Sequence, residues 1–385
     1  MTDAQPGAAS AHSAGNGKSR KGPAKTAGAN IRDIAAAGRG PLRAAVPTRA
    51  HSERAATAGP PGVSVATVSR VMRGNAKVSD ETRAKVEQAV KDLGYVPNAH
   101  ALALTTPPNS VTLVMRSITG GTYSEMAGAV ADEAIRRGMT FRLIATGGAR
   151  VDGKAVLTDL LAQRPRVAII VADDDPGSIK DAELNEYVGQ FESMGTTLVA
   201  LARPRIDLAD RIGVVDYANE RGVYMMTKYL ISLGHRDMLF VGVRTASPIF
   251  TQRYQGFLKA LAEAGIDHDP AGDLPFDGNR AADAANVVAR YRDGSPFTAV
   301  VGVTDVAALD SINALQSLGV AVPGQISAGG FDDMPYAGDL IVPLTTVHVP
   351  FADMGATAVR IGLGNLKDVM MPAELVVRRS TGPVN

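Results

Sequence analysis

In the stretch GVSVATVSRVMRGN, residues 62–75, a glycine turn is followed by a serine and then by apolar residues at helical spacing. Ser64 is a candidate N-cap whose hydroxyl can accept a first-turn N–H, so the spacing predicts a helix beginning at Val65. Val68, Val71 and Met72 form the stripe that such a helix buries, while Val65, Ala66, Ser69, Arg70 and Arg73 fall largely on the other side. That outward side is small, hydroxylated and basic. Small residues at a helix N-terminus approach base edges closely, Thr67 and Ser69 can reach phosphate oxygens, and Arg70 can make the bidentate contact that guanine offers in the major groove. An ordinary amphipathic helix with a solvated arginine has the same pattern, so the neighbouring sequence decides.

Downstream, Asn75 leads to Ser79, an N-cap with Thr82 three residues on, and then to a helix that turns Val86, Val90 and Leu93 inward before Gly94 stops it. Tyr95-Val96-Pro97 and the segment NAHALAL, residues 98–104, follow. The whole run from Gly62 to Leu104 resembles the DNA-binding headpiece and hinge of the lactose and galactose repressor family of bacterial regulators. The resemblance implies a small all-α helix-turn-helix domain over 31–97, a hinge helix and linker over 98–110, and a homodimer that reads a pseudo-palindromic operator. It assigns DNA contacts to Ser64, Val65, Ala66, Thr67, Ser69, Arg70 and Asn75, and makes Leu104 a wedge that kinks the minor groove. Leu102 departs from the polar or basic residue common in that hinge.

Upstream the pattern is interrupted. The family's first helix, resembled here by IRDIA from Ile31, stands about three residues before the turn that Gly62 occupies, whereas this chain inserts residues 37–61 between them. The insert carries Gly38, Gly40, Pro41, Pro47, Gly59, Pro60 and Pro61, which break helices, together with Arg39, Arg43, Arg49 and Arg54. A helix-turn-helix needs its first helix packed on the second through a short turn, so the insert either loops out, abolishes the unit, or comes from a shifted reading frame or a misassigned gene.

Composition sets the bounds. At 385 residues the chain is too long for one ordinary core and fits a small domain with one or two larger ones. No run of about 18 apolar residues occurs, which argues against a membrane span. Residues 1–30 lack the apolar core of a secretion signal and read as a disordered basic tail. With no cysteine for disulfides or thiolate metal sites, the simplest location is the cytoplasm. The net charge of +1 hides an asymmetry: residues 1–106 hold fifteen Lys and Arg against seven Asp and Glu, leaving twenty-five against thirty-two in the rest. A basic arm ahead of an acidic body is the footprint of a DNA binder, although a solvated linker would look the same.

From Val111 onward, short apolar runs alternate with helical patterns: VTLVM at 111, FRLIA at 141, VAIIV at 167, TLVAL at 197, IGVV at 212, MLFVGV at 238, AVVGV at 299 and ISAGGF at 326. Helices are expected at about 123–138 and 219–234. Runs of this kind, buried on both faces, mean parallel sheets in an α/β fold, whose ligands bind beyond the carboxyl ends of the strands. The stretches VVDYANERGVYMMTKYLISLGHRDMLFVG, RYQGFLKALAEAGI, TDVAALDSINALQSLGVAVPGQISAGGFDDMP and PLTTVHVPFADMGATAV resemble landmarks of the effector domain in the same family. The resemblance implies a two-lobed, periplasmic-binding-protein-like effector-binding and dimerisation domain over 111–385. Val384-Asn385 follows the last strand with no leucine heptad, which points away from tetramers.

Arg253, Asp305 and Asp332 sit at or near strand ends, where a guanidinium and a carboxylate can fix sugar hydroxyls or a base edge. A structural ion pair is the plainer reading of Arg253 and Asp332. The resemblance makes both effector contacts, places Asp305 beside a third, Thr304, and gives Tyr123 an aromatic position that stacks on the ligand. Ser117 and Ala202-Arg203 stand where family members often carry Asp and Asp-Arg, and the later aromatic matches either Leu274 or Phe276. A pentose, a hexose derivative or a purine-like effector all fit. Neither GxGxxG nor a P-loop occurs, the six histidines lack metal spacing, and Asp173-Asp174-Asp175 reads as a solvated loop. The expectation is a non-enzymatic, effector-controlled transcription regulator, without cofactor, most simply a repressor. A sugar-binding protein with no DNA role, and a family member with impaired DNA binding, are the alternatives.

Overall fold

The computed structural model describes residue 35 and residues 63–72, 78–93, 108–147, 152–172, 179–294, 296–364 and 367–384. The chain divides into two units, 1–106 and 107–385, with the boundary inside the segment expected to link them. The basic tail, the insert at 37–61, the hinge with Leu104, Asn75 and the acidic triplet at 173–175 lie outside the described residues.

In the first unit, α1 (Val65–Met72) and α2 (Asp80–Asp92) pack through one apolar cluster. Val68 and Val71 of α1 and Val86 and Ala89 of α2 are its buried members, with Met72, Val90 and Leu93 half-buried beside them. The 3.6-residue period places these side chains on facing stripes. Ala35 is helical and buried in the same cluster, so a residue of the expected first helix joins this core from the far side of the insert.

In the second unit a six-stranded sheet is built from β1 (Ser110–Met115), β2 (Thr140–Ala145), β3 (Val167–Val171), β4 (Thr197–Leu201), β5 (Gly213–Tyr217) and β11 (Val369–Met371). Their order is β11-β5-β4-β3-β1-β2, with every pair parallel. A four-stranded parallel sheet of β6 (Met238–Val243), β7 (Leu274–Pro275), β8 (Ala299–Gly302) and β9 (Ser327–Gly329), ordered β7-β6-β8-β9, forms the second lobe. Parallel strands need covered faces, which explains the apolar runs. In the first lobe Leu113 and Ile169 face a cluster containing Met126 and Val130 of α3 (Gly121–Arg136) and Met354 of α10 (Phe351–Gly362). Val114, Ala168 and Ile170 face Leu157 of α4 (Gly153–Gln163) and Leu184 of α5 (Asp181–Ser193) on the other side. Strand β2 departs from the expectation of burial on both faces. It is the sheet edge, none of its six residues is buried, and Leu143 remains 37% exposed.

Chain order explains how the lobes are joined. The first crossing runs from β5 into α6 (Asn219–Ser232), and α7 (Pro248–Glu263), α8 (Arg280–Arg292) and α9 (Asp305–Ser317) then alternate with the strands of the second lobe. After β10 (Thr346–His348) the chain returns to the first lobe as α10 and β11, and it crosses again to β12 (Glu374–Val376), which pairs antiparallel with β10. Three crossings therefore connect the lobes.

Candidate functional site

The carboxyl ends of the two sheets face a cleft of about 430 Å³, lined by residues of both lobes. Of the positions singled out in the sequence, Tyr123, Arg253, Thr304 and Asp332 line it and Asp305 does not.

Arg253 is positioned by α7, which Ser247 caps by accepting the N–H of Phe250 at 3.1 Å. Its side chain is only 2% exposed. Nε donates to Asn219 Oδ1 at 2.9 Å, Nη1 to the Val303 carbonyl at 2.5 Å, and Nη2 to both the Tyr217 hydroxyl at 2.8 Å and Asp332 Oδ1 at 3.1 Å. The guanidinium also lies 3.8 Å from the centroid of the Phe331 ring, a cation–π contact. Burial works against the charge on Arg253, and Tyr217 and Asp332 together outweigh it, so the group is held more firmly cationic than usual. Burial also pushes the Asp332 carboxyl upward, partly offset by Arg253. The Tyr217 hydroxyl is held above the ordinary tyrosine range by the same desolvation.

Asp332 and Asp333 both take positive φ, 113° and 53°, the left-handed region that side chains disfavour. Such strain persists only where the surroundings over-determine it. Here Asp332 N–H donates to the Val347 carbonyl at 2.9 Å, while the Asp333 carboxylate binds Arg378 at 2.7 Å and His348 at 3.1 Å. Asp305 supplies the remaining anchor. It is fully buried, accepts the Met334 N–H at 2.7 Å and bonds the Thr346 hydroxyl. The sequence expectation of an effector contact at Asp305 is corrected accordingly: its carboxyl is consumed in fixing the loop that carries Asp332. Burial, reinforced by the neighbouring Asp332 charge, pushes it up to about 8. Thr304 lines the cleft while its hydroxyl caps α9 by accepting the Ala307 N–H at 3.2 Å.

On the first lobe, α3 begins at Gly121 after Gly120, whose φ of 99° requires a glycine and whose cap lacks any side-chain acceptor. Tyr123 stands half-buried in its first turn. The two lobes meet here, since a Cβ added to Gly121 would fall 2.4 Å from Pro335 Cδ of the Asp332 loop. The departures seen in sequence resolve individually. Ser117 bonds Thr119 at 2.7 Å and is absent from the lining; Ala202 lines the cleft; Arg203 turns away to Asp181 at 2.6 Å and the Ile179 carbonyl at 2.8 Å. Of the two candidate aromatics, Phe276 lines the cleft and Leu274 belongs to β7. Sequence reasoning missed Arg116, Arg244 and Phe250, which also line it. Their signal was their place just beyond β1 and β6.

In the first unit, Ser64 accepts the Thr67 N–H at 3.1 Å and bonds its hydroxyl at 2.9 Å, which makes the predicted cap explicit. Ala66 and Arg70 are exposed, and Thr67 and Ser69 half-buried, on the face opposite Val68 and Val71. Ser79 likewise caps α2, accepting the Thr82 N–H at 3.4 Å. Among the described residues no helix is long and apolar enough to cross a membrane.

Two family models match the chain: "Bacterial regulatory proteins, lacI family" over residues 57–98 and "Periplasmic binding protein-like domain" over residues 227–383. The first match begins late in the insert, so the expected first helix falls outside it. Two solved structures share the fold. A lac repressor dimer bound to operator and the anti-inducer ONPF has a TM-score of 0.68 at 24% identity, covering 83% of this chain and 96% of that one. A CelR–cellobiose complex has a TM-score of 0.61 at 24% identity, covering 91% and 99%. The HTH-type transcriptional regulator DegA of Bacillus subtilis (strain 168) is 31% identical over 335 residues, 84% of this chain and 96% of DegA. A likeness of that extent, spanning the capped helix and the cleft alike, makes the chain a member of the lacI family of bacterial regulatory proteins, transcription regulators that join a DNA-binding helix-turn-helix to an effector-binding domain.

Proposed function

We propose that this regulator acts as a homodimer in the cytoplasm, that α1 reads operator DNA through Arg70, and that a sugar bound in the interlobe cleft controls it. The observation that carries the effector reading is the buried Arg253–Asp332 pair at the strand ends lining that cleft. A guanidinium and a carboxylate held side by side offer fixed donors and acceptors to vicinal hydroxyls, and Tyr123, Phe250 and Phe276 offer rings to the apolar face of a pyranose or furanose. The cleft volume falls within the range of small-molecule sites. The CelR relative, whose structure contains cellobiose, supports a sugar as the class. Because the lobes touch at Gly121 and Pro335, a ligand between them acts on their spacing, and coupling to DNA is the difference in its affinity for two lobe arrangements.

The test uses the full chain and a DNA fragment from upstream of its own gene. Anisotropy titrations with and without a sugar panel are expected to show an effector-dependent change in operator affinity. An Arg253→Ala, Asp332→Ala variant should keep its ligand-free DNA binding and lose the response. A response retained in that variant would move the effector site elsewhere.

A further inference from the structure

One cation in the cleft is not explained by the pair that carries the effector reading. Arg244, just beyond β6, makes no side-chain hydrogen bond to any described residue. Its guanidinium is held by a cation–π contact 5.4 Å from the Phe250 centroid and by an ion pair to Asp277 at 3.9 Å. That separation is beyond hydrogen-bond reach, and the Asp277 side chain is 78% exposed, so water screens the pair strongly. Arg244 itself is only 29% exposed. Ring contact and burial hold a planar fork of donors ready for a partner, and bidentate arginine forks are matched to carboxylate and phosphate oxygens.

Other features of the same cleft add to this. Among the described residues, three arginines, Arg116, Arg244 and Arg253, line it with two carboxylates, Asp277 and Asp332, and Asp332 is committed to Arg253. Arg253 uses four of its five N–H donors on the protein, which leaves one on Nη1 of a buried side chain. The uncapped start of α3, at Gly120 and Gly121, turns the positive end of a 16-residue helix toward the same space. Among the described residues no Asn, Gln or Glu lines the cleft, so the polar groups they contribute are weighted toward donors.

Building on the reading of this cleft as the effector site, we infer that the effector is an anionic sugar, a polyol bearing a carboxylate or phosphate group that Arg244 receives while Arg253 and Asp332 hold its hydroxyls. Arg116 and the start of α3 face the anion from the first lobe and Arg244 from the second, so the charged group draws the lobes together.

The test is a thermal-shift and calorimetric comparison on the full chain, with glucose, galactose and ribose each set against the matching sugar acid and sugar phosphate, and with inorganic phosphate alone. The anionic members are expected to bind more tightly than their neutral parents. Arg244→Gln should weaken the anionic members by roughly ten- to hundred-fold, the loss of one charge-assisted contact, while leaving the ligand-free melting temperature unchanged. The sugar-acid and sugar-phosphate arms identify which oxyanion is read. Neutral sugars that bind as tightly as the anionic ones and are unaffected by Arg244→Gln would overturn the inference while leaving the effector cleft in place. Failure of every oxyanion to stabilise the wild type would also overturn it. Binding that survives the Arg253→Ala, Asp332→Ala variant would overturn the cleft reading as well.

Discussion

Arg70 and Asp305 show how differently single residues reveal themselves. Arg70 is exposed on the outward face of α1, and the base-reading role proposed for it rests on that placement. Arg70→Ala is expected to cost about 1 to 3 kcal/mol on the preferred operator and to relax preference at one base pair. A uniform loss across all sequences, measured by anisotropy on a substituted operator set, would assign it to phosphate instead. Asp305 was read from sequence as a ligand group because it follows a strand and adjoins Thr304; nothing in the linear text shows that Thr346 and Met334 close over it. Its burial has a consequence in solution. The folded chain keeps a proton on Asp305 up to about pH 8, whereas the unfolded chain releases it near the ordinary carboxylate value of about 3.9. Between those values the folded state binds more protons, so stability falls as pH rises through the window and levels off above it. Asp216, raised by burial to about 6, adds a smaller fall of the same sign. Asp305→Asn mimics the protonated form and should flatten the decline in melting temperature between pH 5 and 8; parallel profiles for variant and wild type would refute the assignment.

At the scale of elements, most boundaries were legible because their causes are local. Ser64 and Ser79 announce their helices through capping chemistry, and the apolar runs at 111, 167, 197 and 238 become strands because helices cover both faces. What escaped depends on tertiary neighbours: the three-residue strands β10, β11 and β12 carry too little pattern, and Arg116 and Arg244 look like surface charges until two lobes face them. Gly256 is a similar case. A Cβ there would lie 2.1 Å from the Glu220 carbonyl oxygen, so α7 packs on α6 at backbone contact. Gly256→Ala should cost on the order of 1 to 3 kcal/mol as overpacking, and by displacing α7 it should weaken effector binding through Arg253. Unchanged unfolding in urea would show that the helices can slide apart freely. The insert is tested at the same level. Ala35 shares its core with Val68 and Val86, so a residue from before the insert contributes to the packing of α1 and α2. Replacing Gly38 to Pro61 with a two-residue turn should then raise amide-exchange protection in α1 and tighten operator binding, because a shorter closure costs less entropy. Equal protection and affinity in both versions would mean that the interruption is immaterial.

For the molecule as a whole, α/β class and the series of landmarks were readable in the sequence, whereas the two lobes were implied only by resemblance and the three crossings between them came from the structure. Their order along the chain has a consequence for synthesis. The first lobe's sheet draws five strands from residues 110–217 but takes its edge strand, β11, from 369–371, after the entire second lobe. While the chain emerges from the ribosome, β5 has to wait for a neighbour more than a hundred residues away, its unpaired backbone edge open to other nascent chains. A chain released at residue 364 would present the same open edge permanently, and it should aggregate where the full chain stays dispersed. The order in which the lobes are written thus makes assembly of the effector domain an event that finishes only when translation does.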